Sequence, residues 1–275
     1  METAEPRGLS VKRSIYLLLI GHGVILLAVL AEVVLKKITR NPGVLSLADL
    51  LSYCLPLMYL IFLGMKRIQK NHVFNLKEES RKFDGKVLFL TVLITPFLGN
   101  LIEYLGEILL PPAPESLTSL FADWVQPTFV SFVSMAVAPA ILEELLFRGV
   151  ILEGMLQEYS PRKAIIWSAV LFGVVHLNPW QAFGAIIIGL LIGWLYYKTR
   201  SVLPGILLHF VNNSLAFFLM LHFGIEANTS DIIGNPLVYY LLLAVSVVIF
   251  VGILWYLVQV LKQKPNPALG EVAHP

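Results

Sequence analysis

The sequence predicts an all-α, polytopic membrane helix bundle with about eight transmembrane helices, and three observations carry that reading. Of the 275 residues, 57% are hydrophobic and only 14% are charged, with a mean hydropathy of +0.77, whereas a soluble domain is roughly 25% charged. Eight stretches approach or exceed the about 20 mostly apolar residues that a helical span needs. No stretch alternates polar and apolar with a strand's period, which argues against a membrane β-barrel. A chain so poor in charge cannot coat a water-facing surface. That excludes a cytosolic globular enzyme, a disordered protein and a nucleic-acid binder with a basic face. The formal net charge of +2 says nothing about partners. The single cysteine, Cys54, excludes a disulfide framework and a cysteine-based zinc site. Residues 1–275 therefore read as a single integral membrane domain, with the lipid bilayer as its first partner.

The expected spans are Ser14–Leu35, Val44–Met65, Lys86–Leu110, Phe129–Leu156, Ala164–Leu177, Trp180–Tyr197, Val202–His222 and Pro236–Leu261. Segment 1 follows a basic start (Arg7, Lys12, Arg13). Its apolar run is too long for the core of a signal peptide and no A-x-A site follows, so it reads as a retained span. Segments 4 to 7 are separated only by short polar turns such as Asn178-Pro179. Between segments 3 and 4, Pro111–Pro127 opens with three prolines in four residues and reads as an outer loop with a short interfacial helix. Trp180, Trp194, Tyr196 and Tyr197 near segment ends fit an interfacial aromatic belt.

Orientation follows from loop Lys and Arg. Lys66, Arg67, Lys70, Lys77, Arg81 and Lys82 follow segment 2. Arg162 and Lys163 follow segment 4, Lys198 and Arg200 follow segment 6, and Lys262 and Lys264 lie in the tail. The loops after segments 3, 5 and 7 have none. This alternation puts both termini in the cytoplasm, against one opposing loop that carries Lys36, Lys37 and Arg40.

Ionisable groups inside spans are costly and by default face a polar interior. Segment 4 contains AVAPAILEELLFRG, with Glu143, Glu144 and Arg148 in the apolar run. Glu144 and Arg148 are i, i+4 and can neutralise each other on one helix face. Glu143 is then left over, about 100° around the helix, and suits general base or acid work. Pro139 frees the carbonyl of Met135 and can kink the helix there. In segment 5, Phe172 and His176 are i, i+4. In segment 7, His209 and Asn213 share a face, with Ser201 a candidate N-cap and Pro204 in the first turn. The bland alternative is that these groups pin helices together through ion pairs and amide hydrogen bonds. His22 and Glu32 show no partner pattern, His222 sits at a segment end, and Glu103 and Glu107 share one face late in segment 3 near the outer interface; all five read as ordinary packing or interface residues.

Together the three segments supply two carboxylates, two imidazoles, an amide and a guanidinium. Glu143 could take a proton from water, while His176 holds that water or shares the proton. His209 and Asn213 could donate to the oxyanion formed when water attacks a carbonyl. Two His and a Glu (Glu143, His176, His209) could instead ligate zinc with an open fourth position, although no H-E-x-x-H pair is present.

The ordered combination E-E-x-x-x-R (Glu143, Glu144, Arg148), F-x-x-x-H (Phe172, His176) and H-x-x-x-N (His209, Asn213) on successive spans resembles the CPBP family. That family is also called Abi. It includes type II CAAX prenyl endopeptidases and bacteriocin-processing or immunity-associated proteins. The resemblance covers roughly Phe129–Leu221, which makes 129–221 the expected catalytic core, and no motif position departs from the family's pattern. It implies an intramembrane endopeptidase with a cavity open to the cytoplasm and bilayer, acting on a membrane-associated peptide or lipidated protein. Glu143 resembles the family's catalytic glutamate, His176 its water-holding histidine, and His209 and Asn213 its oxyanion-stabilising pair. Glu144, Arg148 and Phe172 resemble its supporting positions. A glutamate–histidine pair activates water without a metal, so no cofactor is expected, with zinc as the alternative. One active site demands similar depths for the three motifs, which requires segment 5 to begin beneath the membrane surface or the helices to tilt strongly. Phe147, Phe172 and Phe217 could line a lipid-holding cavity or simply pack. A proton-coupled transporter and a non-catalytic scaffold or immunity protein are the rival classes.

Overall fold

The computed structural model describes residues 8–68, 79, 84–118, 125–225 and 227–262. Arg7, Lys70, Lys77, Arg81, Lys82 and Lys264, which entered the orientation argument, lie outside the described residues, as do 119–124 of the expected outer loop. The described chain is helical, with no strand among the described residues. Its elements are α1 (Val11–Ile38), α2 (Pro42–Arg67), α3 (Gly85–Leu109), α4 (Phe129–Leu156), α5 (Pro161–Val174), α6 (Pro179–Thr199), α7 (Leu203–Phe223), α8 (Thr229–Ile233) and α9 (Pro236–Lys262).

Most starts are written in the sequence. The side chains of Ser10, Asn41, Asp84, Thr128 and Asn178 each accept a hydrogen bond from a backbone N–H in the first turn of the helix they precede, satisfying donors that a helix leaves orphaned. Segment 7 departs slightly from expectation. Its N-cap position is Val202 rather than Ser201, though the Ser201 hydroxyl still accepts from the Leu203 N–H at 3.2 Å.

Seven helices, all but α5 and α8, are long and apolar enough to cross a membrane among the described residues. Large side chains stand outward along them, among them Leu27, Val248 and Leu237. Such a surface is stable against hydrocarbon and not against water. The expected eight spans thus become seven. Segment 5 forms only the 14-residue α5, about 21 Å at 1.5 Å per residue against about 30 Å of hydrocarbon. It stops because Leu177 adopts a left-handed φ of 56° and Pro179 disfavours helical geometry at Asn178.

A helix that ends inside a bilayer must still satisfy its last carbonyls. Here Val175 N–H donates to Leu171, His176 N–H to Gly173 and Leu177 N–H to Val174. The Phe172 carbonyl accepts from His176 Nδ1 at 2.8 Å, and the Val175 carbonyl lies 3.3 Å from His22 Nε2. His22 is mid-way along α1, so the α5–α6 turn stands at mid-bundle. That shortness brings His176 toward the level of the motifs on α4 and α7.

The α5–α6 pair is an antiparallel hairpin pinned by glycines. Gly173 faces Ala182 and Ile186, Gly189 faces Ala169, and Gly193 faces Ile165. Two apolar clusters form the core. One joins α1, α2, α4 and α5 around Leu60, Phe147, Ile151 and Phe172; the other joins α3, α6, α7 and α9 around Leu90, Ile192, Leu208 and Leu257. Of the motif residues, Phe172 belongs to the first cluster, and His209 follows Leu208 of the second. The start of α1 and the end of α9 share one face of the bundle. Leu9 N–H donates to the Gly154 carbonyl, Gly154 abuts Ile68, Arg200 pairs with Glu153 at 2.8 Å, and Lys86 lies over the Tyr256 ring.

The hairpin yields a test. A Cβ at Gly173 would sit 2.7 Å from the Ala182 carbonyl oxygen and 2.5 Å from Ile186 Cγ1. Backbone must therefore move, and Gly173→Ala is expected to cost about 1–3 kcal/mol. Thermal unfolding in detergent should show a clear fall in Tm, larger than for Gly252→Ala, where a Cβ meets nothing within 4 Å.

Candidate active site

The site is built upward from an ion pair. Glu144 and Arg148 are 0% and 1% exposed, and Arg148 Nη1 donates to Glu144 Oε1 at 2.7 Å. Their i, i+4 spacing puts them on one face, as the sequence implied. Burying two charges costs several kcal/mol per ion unless further partners are supplied, and three helices supply them. Arg148 Nη2 donates to the Gly189 carbonyl of α6 at 3.2 Å, and its guanidinium lies 4.6 Å from the Phe172 ring centroid of α5. His209 of α7 stands with Nδ1 3.0 Å from Glu144 Oε1. Gly205, one turn before His209, lets α7 come this close, because a Cβ there would lie 2.8 Å from Glu144 Oε2.

That contact orients His209. A carboxylate paired with Arg148 accepts, so Nδ1 carries the proton and Nε2 points onward. Nε2 faces Glu143 Oε2 at 3.9 Å, too far for a direct hydrogen bond and suited to a bridging water. Asn213, one turn further along α7, donates through Nδ2 to the Met135 carbonyl at 3.1 Å. Met135 is the carbonyl that Pro139 leaves without its i+4 donor. The kink expected from Pro139 takes the form of wide π turns over Val133–Val137, with a second stretch over Leu145–Leu152. The two glutamates thus sit in a short α segment, Ala138–Glu144, between two π stretches.

Glu143 is not the unpartnered carboxyl that the sequence suggested. Its Oε1 accepts from the Tyr53 hydroxyl of α2 at 2.7 Å, while Oε2 has no hydrogen-bond donor among the described protein groups. His176 and His209 both stand nearly perpendicular to the Phe172 ring, at centroid distances of 5.4 and 5.7 Å. With His176 Nδ1 donating to the Phe172 carbonyl, its Nε2 is a free acceptor in the neutral ring. Glu144, Arg148 and His209 are buried, whereas Glu143, His176 and Asn213 are partly exposed. A closed ionic floor therefore carries a more open layer of carboxylate, imidazole and amide.

Sequence reasoning missed Tyr53 and the role of His22. Neither lies in a recurring spacing, and each acts across helices distant in sequence. Phe147, Phe172 and Phe217 are 2%, 2% and 3% exposed, and Phe147 and Phe217 stack on Phe172 and Phe132 respectively, so all three pack rather than line open space. Glu32 pairs with Lys36 at 2.6 Å and accepts from Ser52. Glu103 accepts from the Thr229 N–H and hydroxyl at the start of α8.

The zinc alternative needs Glu143, His176 and His209 to converge with donor atoms about 2.0–2.2 Å from one point. Among the described residues no three His, Cys, Asp or Glu side chains form such a group; Glu143 Oε2 and His209 Nε2 stand 3.9 Å apart.

Residues 125–215, about a third of the chain, match the family model described as Type II CAAX prenyl endopeptidase Rce1-like. The match supports assignment to the CPBP/CAAX protease family, and the seven long apolar helices support a multi-pass membrane protein. Comparison with curated proteins and with solved structures returns no match.

The ionic floor makes a prediction about stability. Arg148→Met leaves a buried carboxylate without its cation and should cost about 3–5 kcal/mol. Adding Glu144→Gln should recover most of that loss, read as unfolding free energy in mixed micelles. A double variant no more stable than Arg148→Met alone would show that the pair is not coupled.

Proposed function

We propose that this chain hydrolyses a peptide bond of a membrane-associated peptide or lipidated protein by glutamate-based activation of water. The observation that carries the reading is the 3.9 Å spacing of Glu143 Oε2 and His209 Nε2, above an ion pair that orients His209. A water between them donates to Oε2. Glu143 takes its proton as the oxygen attacks the scissile carbonyl, with His176 Nε2 as a second acceptor that holds the water. The carbonyl oxygen becomes an oxyanion. His209, whose Nδ1–H is held by Glu144, presents Nε2–H to it once Nε2 has taken a proton from solvent, and the Asn213 amide N–H not used by Met135 is the second donor. Both come from one face of α7, one turn apart. The tetrahedral intermediate collapses as Glu143 returns its proton to the leaving amine.

The face of the bundle that holds the start of α1 and the end of α9 also holds Lys66, Arg67, Lys198 and Arg200 at helix ends. By the excess of Lys and Arg on that side, it is the cytoplasmic face, with both termini in the cytoplasm and cleavage on that side of the bilayer.

The test uses purified protein and a fluorogenic membrane peptide. Glu143→Gln and His209→Ala should each lower kcat/KM by about 10²–10⁴-fold while the protein stays folded and monodisperse. Cleavage retained in both variants would end the proposal. A chelator arm addresses the metal: activity lost and restored only by zinc would replace this mechanism with a metalloprotease one.

A further inference from the structure

We propose that Tyr53, on a helix outside all three motifs, is a positioning residue that sets which oxygen of Glu143 acts as the base. This rests on the glutamate mechanism above. The Tyr53 hydroxyl donates to Glu143 Oε1 at 2.7 Å. It is the one hydrogen-bond donor that the described residues aim at this carboxylate, and it comes from α2, against which α4 packs. A carboxylate on a three-torsion side chain can turn either oxygen to a neighbour. Tethering Oε1 leaves Oε2 toward His209 Nε2 at 3.9 Å, which is the working face. Tyr53 itself is held by its setting. Its helix is locked to α4 where Gly64 meets Val150 and to α1 where Gly21 meets Leu60.

The tether has a second effect. A hydrogen bond donated to a carboxylate stabilises the ionised form, the form a general base requires. The other ionisable groups around Glu143 are Glu144 and Arg148 on its own helix, His209 from α7 and His176 from α5. Glu144 and Arg148 oppose each other in charge, and His209 already gives Nδ1–H to Glu144. Tyr53 therefore acts on Glu143 without a competing donor on Oε1.

The experiment compares wild type with Tyr53→Phe and with 3-fluorotyrosine incorporated at position 53. The acidic limb of kcat/KM against pH reports protonation of the base. Loss of the donor favours the protonated carboxyl, so in Tyr53→Phe the limb should move up by about one pH unit or more, since a hydrogen bond to a charged group is worth roughly tenfold or more. The kcat should fall by at least that factor while KM holds. The fluorinated ring keeps shape and hydroxyl but donates more strongly, so its limb should move down, and it remains informative if Tyr53→Phe does not fold. Infrared titration of the Glu143 carboxyl band, identified by its loss in Glu143→Gln, reads the same shifts without any turnover. A protein that cleaves nothing yet shows the opposed infrared shifts would sink the protease reading and keep the tether. Limbs and bands unmoved in both Tyr53 forms would overturn the tether, whatever the activity.

Discussion

The buried pair of Glu144 and Arg148 is the constraint around which the rest of the bundle is arranged. Neither ion is tolerable alone in a dry interior, so each neighbouring helix contributes something to it: a backbone carbonyl from α6, an aromatic face from α5, an imidazole from α7 and a glycine that lets that imidazole approach. Once those contributions are in place, the tautomer and direction of His209 follow, and so does the side on which Glu143 meets it. The site is therefore less a set of polar groups added to a fold than the outer layer of a buried ion pair that three further helices share.

The sequence made much of this readable, for identifiable reasons. Glu143, Glu144, Arg148, His209 and Asn213 stood out because charge and amide are scarce in apolar runs, and because i, i+4 spacing is a local geometric fact that survives folding. The link from Pro139 to Met135 was legible as a freed carbonyl, although its partner, Asn213, was not. What stayed hidden was of two kinds. Contacts made across long sequence separations, such as Tyr53 to Glu143 and His22 to Val175, leave no periodic trace. Helix length also misled: the apolar composition of segment 5 continues through Val174–Leu177 and on past Asn178-Pro179, so hydropathy alone does not register that the backbone turns back there.

The division of labour between the two halves of the chain also differs from the motif map. All three motifs lie between Phe129 and Leu221, the region that includes nearly all of the family match. Yet α1 and α2 supply direct contacts, one to the α5 turn and one to the Glu143 carboxylate. These helices share an apolar cluster with α4 and α5. A change that loosens that cluster acts on the geometry of the carboxylate without touching any motif residue.

The shortness of α5 has a consequence for the surrounding lipid. A rod of about 21 Å beside neighbours that span the full bilayer leaves a step in the hydrophobic belt. Acyl chains next to that step must bend, thin or admit water, each at fractions of a kcal/mol per Å of mismatch. The step ends at His176, on the partly exposed side of the site. Bilayer thickness therefore bears on how far the polar groups around Glu143 and His176 are open to the surroundings, and lipids of different chain length become a physical variable of the site rather than a passive solvent.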